Sequence, residues 1–146
     1  MKTRILIVDD EQEFVEVLSE RLGLRDYDVT TSSSGKDAME KLEKLNFDVV
    51  ILDVLMPDMD GIETLKRIKG LKPLTEVIML TGHATVETAI EGMKLGAYDY
   101  LMKPYKDDEL FSKIDKASAK KEEHEDRIRE AKVKEIVSSP RSVLNS

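Results

Sequence analysis

The chain has 146 residues, 40% of them hydrophobic, no cysteine and a formal net charge of -7 at pH 7. That length buries one sizeable core and leaves no room for a second full domain, while the missing cysteines exclude a disulfide framework, a thiolate metal site and a thiol nucleophile and suit a reducing cytoplasm. Nucleic-acid affinity comes largely from Lys and Arg displacing phosphate counterions, so an acidic chain is not expected to bind nucleic acid directly; no apolar run approaches the roughly 20 residues that span a bilayer, so no membrane association is expected either.

The first predicted element is a strand, Arg4 to Val8, which ends abruptly on Asp9 and Asp10 with Glu11 just beyond. A helix follows, with Phe14, Val17, Leu18 and Leu22 on one face, and then a strand from Tyr27 to Thr31. Ser34 precedes the second helix, whose apolar face is Ala38, Met39, Leu42 and Leu45. The third strand, Asp48 to Leu52, runs straight into Asp53. Gly61 marks a loop exit, and the third helix follows with Ile62, Leu65 and Ile68 on its face. The fourth strand, Glu76 to Leu80, presents Thr81 and Gly82 at its end, and Thr85 leads into a helix carrying Val86, Ala89, Ile90 and Met93. The fifth strand, Tyr98 to Met102, presents Lys103 before Pro104, and Leu110, Ile114 and Ala117 mark the last helix. Gly23, Gly70 and Gly96 lie near predicted helix ends.

From Lys116 onward the composition turns strongly charged. Glu123 with Arg127 and Glu125 with Arg129 have helical spacing, so the stretch reads as a solvated extension of the last helix. A seam through Ile114, Ala117, Lys121, His124, Ile128 and Ala131 is interrupted by two polar positions, which favours a plain exposed helix over a coiled coil. Ser138-Ser139-Pro140 ends it. The expected organisation is one domain over residues 1–120 and a charged helical extension with a loose tail over 121–146.

Strands this continuously apolar, each followed by a helix, imply a parallel sheet covered on both faces by right-handed crossovers. The predicted fold class is α/β, a doubly wound five-stranded parallel sheet of order 2-1-3-4-5, flavodoxin-like, with an extended C-terminal helix. Ligands of such sheets sit beyond the carboxyl ends of the strands where the order reverses, between the first and third. Asp9, Asp10 and Asp53 would meet there. Like charges about 5 Å apart at an effective dielectric of about 20 cost roughly 3 kcal/mol per pair, so the cluster needs a proton or a cation. An all-oxygen, water-accessible site suits Mg²⁺. The competing reading is that Asp9 and Asp10 only cap the first helix. Lys103 could reach over the fourth strand to balance the acids and meet an anion on Asp53, and the Thr81 hydroxyl could donate to that anion.

Asp9-Asp10, Asp53 followed by Met56-Pro57 and Asp60-Gly61, Thr81-Gly82, and Lys103-Pro104 together resemble the receiver (REC) domain of bacterial two-component response regulators, over roughly residues 1–120. The resemblance implies that Asp53 accepts a phosphoryl group from a histidine of a sensor histidine kinase. It implies that Asp10 and Asp53 ligate Mg²⁺ with the backbone carbonyl of Leu55, and that Asp9 holds the ion mainly through water. It further implies that Thr81 and Lys103 contact the phosphoryl oxygens, that Lys103-Pro104 is a cis peptide, and that Tyr100 changes rotamer as Thr81 moves. Tyr98 and Tyr100 are both expected on one face of the edge strand, where packing alone would explain them; only the spacing to Lys103 marks Tyr100 as a switch.

The expected role is therefore a signalling receiver rather than an enzyme, labelling itself from phosphodonors, losing the group again, and altering the face of the fourth helix and fifth strand. That face would be read by a downstream protein target or a missing output domain, with a phosphorylation-dependent dimer as a further expectation. The stretch from Thr81 to Pro104 is similar to receivers of enhancer-binding transcription activators. Two alternatives stand beside this reading. One is an Mg²⁺-dependent phosphatase working through an aspartyl phosphate, although such enzymes typically carry a second Asp where this chain has Leu55. The other is a degenerate, non-phosphorylated binding module. His83 reads as an exposed loop residue.

Overall fold

In the computed structural model, which describes residues 2–54, 60–82 and 85–138, the apolar runs become strands β1 (Arg4–Val8), β2 (Asp28–Ser32), β3 (Val49–Leu52), β4 (Glu76–Thr81) and β5 (Asp99–Met102). Between and after them lie helices α1 (Gln12–Leu24), α2 (Gly35–Lys44), α3 (Gly61–Leu71), α4 (Val86–Lys94) and α5 (Asp107–Ser138). The strands form one parallel sheet in the order β2-β1-β3-β4-β5, as predicted. Residues 1, 55–59, 83–84 and 139–146 lie outside the described part, and with them Leu55, Met56, Pro57, His83, Ser139 and Pro140.

Alternation along the strands sorts the core into two layers. Ile5, Ile7, Val49, Ile51, Ile78, Leu80 and Leu101 face Leu18 and Leu22 of α1 and Leu110, Ile114 and Ala117 of α5. Leu6, Val8, Val50, Leu52, Val77 and Met79 face Ala38 and Leu42 of α2 and Leu65 and Ile68 of α3. Every residue of β1 except Arg4, and all of β3, is buried, which is why these strands lack a polar face. Each fully buried Leu, Ile or Val side chain contributes about 1.5–3 kcal/mol relative to exposure.

The helix starts follow local chemistry. Ser34 caps α2 by accepting from the Asp37 amide, Asp60 caps α3 by accepting from Glu63, and Thr85 forms a capping box with Thr88 at α4. Gly96, just past α4, has a φ of 102°, a left-handed conformation that suits glycine.

Three side-chain expectations are corrected. In α1, Val17 is 49% exposed and Val15 packs on the core in its place. In α4, Val86, Ile90 and Met93 stay largely exposed, and the inward positions belong to Ala89 and Gly92. Gly92 sits so close to the Met79 side chain that a Cβ would overlap its sulfur, so the helix settles deep at its smallest residue and tilts its large apolar residues outward. Tyr98 and Tyr100 pack on opposite core layers, not one face: Tyr98 precedes β5, where the strand's alternation does not hold.

α5 runs for 32 residues, about 48 Å at 1.5 Å per residue. Ala117 is its last buried apolar residue among those described, and beyond it the helix is solvated as expected. Glu123 pairs with Arg127. Arg129 reaches Asp126 instead of Glu125, which is taken by Lys121.

Candidate functional site

Parallel pairing places Val8 beside Leu52, so the chain leaves the sheet at Asp9 and Asp53 on adjacent strands at the same level. The Asp53 amide donates to the Val8 carbonyl at 2.9 Å, extending the ladder to the site itself. On the other side of β3, β4 ends at Thr81 and β5 pairs Met102 with it; the Lys103 amide donates to the Thr81 carbonyl at 2.9 Å. The topology therefore gathers acids, hydroxyl and lysine at one sheet edge. Lys103-Pro104 is a cis peptide.

Carboxylate oxygens of Asp9, Asp10 and Asp53 lie within 4.8 Å of one another. Asp9 and Asp53 are buried, at 3% and 2% exposure, and Asp10 is exposed. One Asp9 oxygen accepts from the Glu11 amide at 2.9 Å; the other takes the Lys103 ammonium at 2.8 Å. Asp9 thus steadies the entry to α1. Yet the N-cap of that helix is Glu11, with no side chain capping it, so capping does not account for the pair of aspartates. Among the described residues Asp53 Oδ1 is buried with no hydrogen-bond partner. A buried carboxylate oxygen without a donor is costly, and a hard divalent cation would satisfy it and the like-charge cluster together. The donor set present fits Mg²⁺: few carboxylates, one facing solvent, all oxygen.

Burial pushes the Asp9 carboxyl above the ordinary range, and the nearby Asp53 charge adds to it, against the opposing pull of Lys103 and the Glu11 amide. For Lys103 burial acts downward, but Asp9, Asp53 and Glu11 outweigh it and hold the ammonium above the usual lysine value. Among the described residues its ion-pair partners are Asp9 and Glu11, the latter at 3.4 Å, with Asp53 felt as a more distant charge. Lys103 Nζ also stands 3.9 Å from the centroid of the Phe14 ring. Phe14 and Glu11 are the two members of this surround that sequence reasoning did not assign to the site. Glu11 was visible as a third acid in the run; nothing in the spacing marks Phe14 as more than a core residue.

Thr81 is fully buried at the end of β4. Tyr100 is half-buried on β5 and borders a hollow with Val86, Ala89, Ile90 and Met93 of α4. Gly61 packs tightly on the segment that carries Asp53: its amide donates to the Val54 carbonyl at 2.5 Å, and a Cβ there would run into the Asp53 carbonyl oxygen and Val54 Cα. Leu55, expected to offer a backbone carbonyl to the metal, lies outside the described residues.

The chain is similar in sequence and fold to known proteins. Residues 5–115 match the response regulator receiver domain family. The transcriptional regulatory protein ZraR of Escherichia coli K12 is 44% identical over 115 residues, 79% of this chain but 26% of its own length. The alkaline phosphatase synthesis transcriptional regulatory protein PhoP of Bacillus subtilis is 37% identical over 114 residues, 78% of this chain and 48% of its own length. The chain thus spans about a quarter to a half of these relatives. A CheY-like response regulator receiver domain protein from Methanospirillum hungatei superposes with a TM-score of 0.82 at 31% identity, covering 85% of this chain and 99% of that one. With fold, family match and acidic sheet edge in agreement, the chain belongs to the response regulator receiver domain family, a signalling module.

Proposed function

We propose that the acidic edge is a phosphorylation switch: Asp53 takes a phosphoryl group from the phosphohistidine of a sensor kinase, and the transfer requires Mg²⁺. The observation that carries this reading is the buried Asp53 Oδ1, without a hydrogen-bond partner among the described residues, at the point where Asp9 and Asp10 converge beside Lys103. A carboxylate attacking an anionic phosphoryl group meets charge repulsion, so transfer needs positive charge near both. When bound, Mg²⁺ supplies such charge and helps align the attack. Asp10 and Asp53, with the Leu55 carbonyl, would hold the ion, and Asp9 would hold it through water. Asp53 supplies the oxygen: its bond to phosphorus forms as the bond from phosphorus to the kinase imidazole nitrogen breaks. Lys103 and Thr81 would then receive the phosphoryl oxygens as a charged and a neutral donor.

The readout in this proposal is a population shift. Contacts to Thr81 and Lys103 favour one arrangement of α4 and β5, with Tyr100 following Thr81 into the hollow beside α4. Residues 1–120 act as the receiver and 121–146 as a connecting helix and tail, leading to an output domain or leaving the α4–β5 face to a separate target, with self-association on phosphorylation as part of the same response. ZraR and PhoP are named transcriptional regulators, which favours an output that acts on nucleic acid through parts outside the matched region; the acidic receiver itself is not the binding part. Among the described residues no helix is long and apolar enough to cross a membrane. We place the switch in the cytoplasm, where a kinase-bound phosphoryl group and Mg²⁺ meet.

Treatment with a small phosphodonor and Mg²⁺, read by intact-mass spectrometry, tests the assignment. One added phosphoryl group, labile to hydroxylamine and absent from Asp53→Asn, is the expected result. Full labelling of Asp53→Asn would overturn it, and sustained turnover of varied phosphomonoesters would point to a phosphatase instead.

A further inference from the structure

Among the described residues the Lys103 ammonium meets Asp9 of the acidic pocket and, outside that pocket, Glu11 and Phe14. Asp9 Oδ2 lies 2.8 Å away, Glu11 Oε1 3.4 Å away, and the face of Phe14 is 3.9 Å from it, measured to the ring centroid. Phe14 is itself fixed: it packs on the core layer that includes Leu18 and Leu110, and Tyr105 meets it edge-on at 6.2 Å with an interplanar angle of 85°. The side chain of Lys103 is 13% exposed, so the ring replaces part of the ammonium's water shell, the setting in which cation–π attraction is strongest. Glu11 immediately precedes α1 and Phe14 lies in its first turn, so neither belongs to the ends of β3 and β4 where Asp53 and Thr81 stand. The ammonium's contacts with Glu11 and Phe14 are thus separate from those that a phosphoryl group on Asp53 would offer it at the ends of β3 and β4.

We infer that Phe14 is a positioning residue for Lys103: its ring face, with Glu11, holds the ammonium at Asp9 in the unmodified protein, and this hold is given up when Lys103 turns to a phosphoryl group on Asp53. The inference rests on the acceptor role of Asp53 and adds a resting-state latch to it. The cost of release falls on the modified state, so Phe14 sets how readily the phosphorylated arrangement forms.

Two measurements on the intact chain test this. In the unmodified protein, a cation over a ring face experiences ring-current shielding, so the Lys103 ε-methylene protons should resonate upfield of the other lysines, lose the shift in Phe14→Leu and keep it in Phe14→Tyr. In the second, beryllofluoride with Mg²⁺ serves as the phosphoryl mimic. Phe14→Leu should bind it about three- to tenfold more tightly than the parent, and Phe14→Tyr like the parent. An ordinary ε-methylene shift in the parent overturns the latch whatever the phosphoryl chemistry. So does equal mimic affinity in parent and Phe14→Leu. Failure of the mimic to bind either protein, together with full labelling of Asp53→Asn, removes the acceptor role and the latch with it, whereas a latch failure alone leaves Asp53 labelling intact.

Discussion

Gly61 is the position where the backbone around the acceptor leaves least room. The atoms that an added Cβ would strike, the Asp53 carbonyl oxygen and Val54 Cα, are main chain and cannot rotate aside. Gly61→Ala must therefore displace either the start of α3 or the segment that carries Asp53. Overpacking of this kind costs about 1–3 kcal/mol, so the expected outcome is a lower urea midpoint together with weaker Mg²⁺ binding. Gly70, with no described atom within 4 Å of its would-be Cβ, is the control: Gly70→Ala should leave the site unaffected. Equal midpoints and equal Mg²⁺ affinity in Gly61→Ala and the parent would show that the backbone yields freely there. The acids, Thr81 and Lys103 were legible in the sequence because parallel strands deliver their carboxyl ends to one edge, and register then does the rest. The surround of Lys103 was not. It depends on which way Glu11 and Phe14 project from the entry to α1, which spacing alone does not determine, and the tight fit at Gly61 left only the signature of a loop exit.

At the scale of elements, α5 is pinned to the sheet end opposite the acceptor. Lys121 Nζ lies 3.2 Å from Asp48 Oδ1 and 2.8 Å from Glu125 Oε1, and Lys120 Nζ lies 3.8 Å from the buried Glu76 Oε2. The other Asp48 oxygen accepts from the Arg4 amide at 2.8 Å, so the clamp joins the starts of β1 and β3 to α5. Burial lowers the Lys121 pKa, but Glu125 and Asp48 outweigh it and the net displacement is upward. A lysine whose folded pKa exceeds its unfolded value binds its proton more tightly when folded. Its contribution is complete below the unfolded value of about 10.4 and lost as pH rises through the higher folded value. Lys121→Met should therefore lose about 1 kcal/mol at pH 7, with the gap to the parent closing above roughly pH 10.5, as read by urea unfolding at both pH values. A gap of the same size at high pH would assign the effect to packing of the lysine stem. The strands were legible to within a residue because continuous apolar runs have few alternatives. Helix faces were less so: a 3.6-residue period marks a stripe, but contact with the sheet decides which edge of it is buried. In α1 that edge takes Val15 over Val17, and in α4 the close seat of Gly92 on Met79 turns Ile90 and Met93 toward solvent.

For the whole molecule, the acidic edge sets folding stability against signalling chemistry. Domains are stable by only about 5–15 kcal/mol, and like charges as close as those of Asp9, Asp10 and Asp53 cost about 3 kcal/mol per pair at an effective dielectric of about 20. Lys103 offsets part of this at Asp9 but leaves Asp53 Oδ1 buried without a donor among the described residues. Without divalent cation the parent should therefore be less stable than Asp53→Asn, by about 1–3 kcal/mol in chelator at low salt. A ligand that binds only the folded state stabilises it by RT ln(1 + [L]/Kd), about 2.7 kcal/mol at a hundredfold excess over Kd. Mg²⁺ should accordingly raise the urea midpoint of the parent far more than that of Asp53→Asn, so that the gap closes or changes sign. An equal concentration of charge supplied as NaCl should not do the same, because Asp9 and Asp53 are too buried for simple screening to reach them. Urea unfolding of both proteins in chelator, in Mg²⁺ and in matched NaCl separates the cases. If the parent in chelator already equals Asp53→Asn and Mg²⁺ moves neither, the convergence of carboxylates is not a cation site and the phosphorylation reading loses its metal.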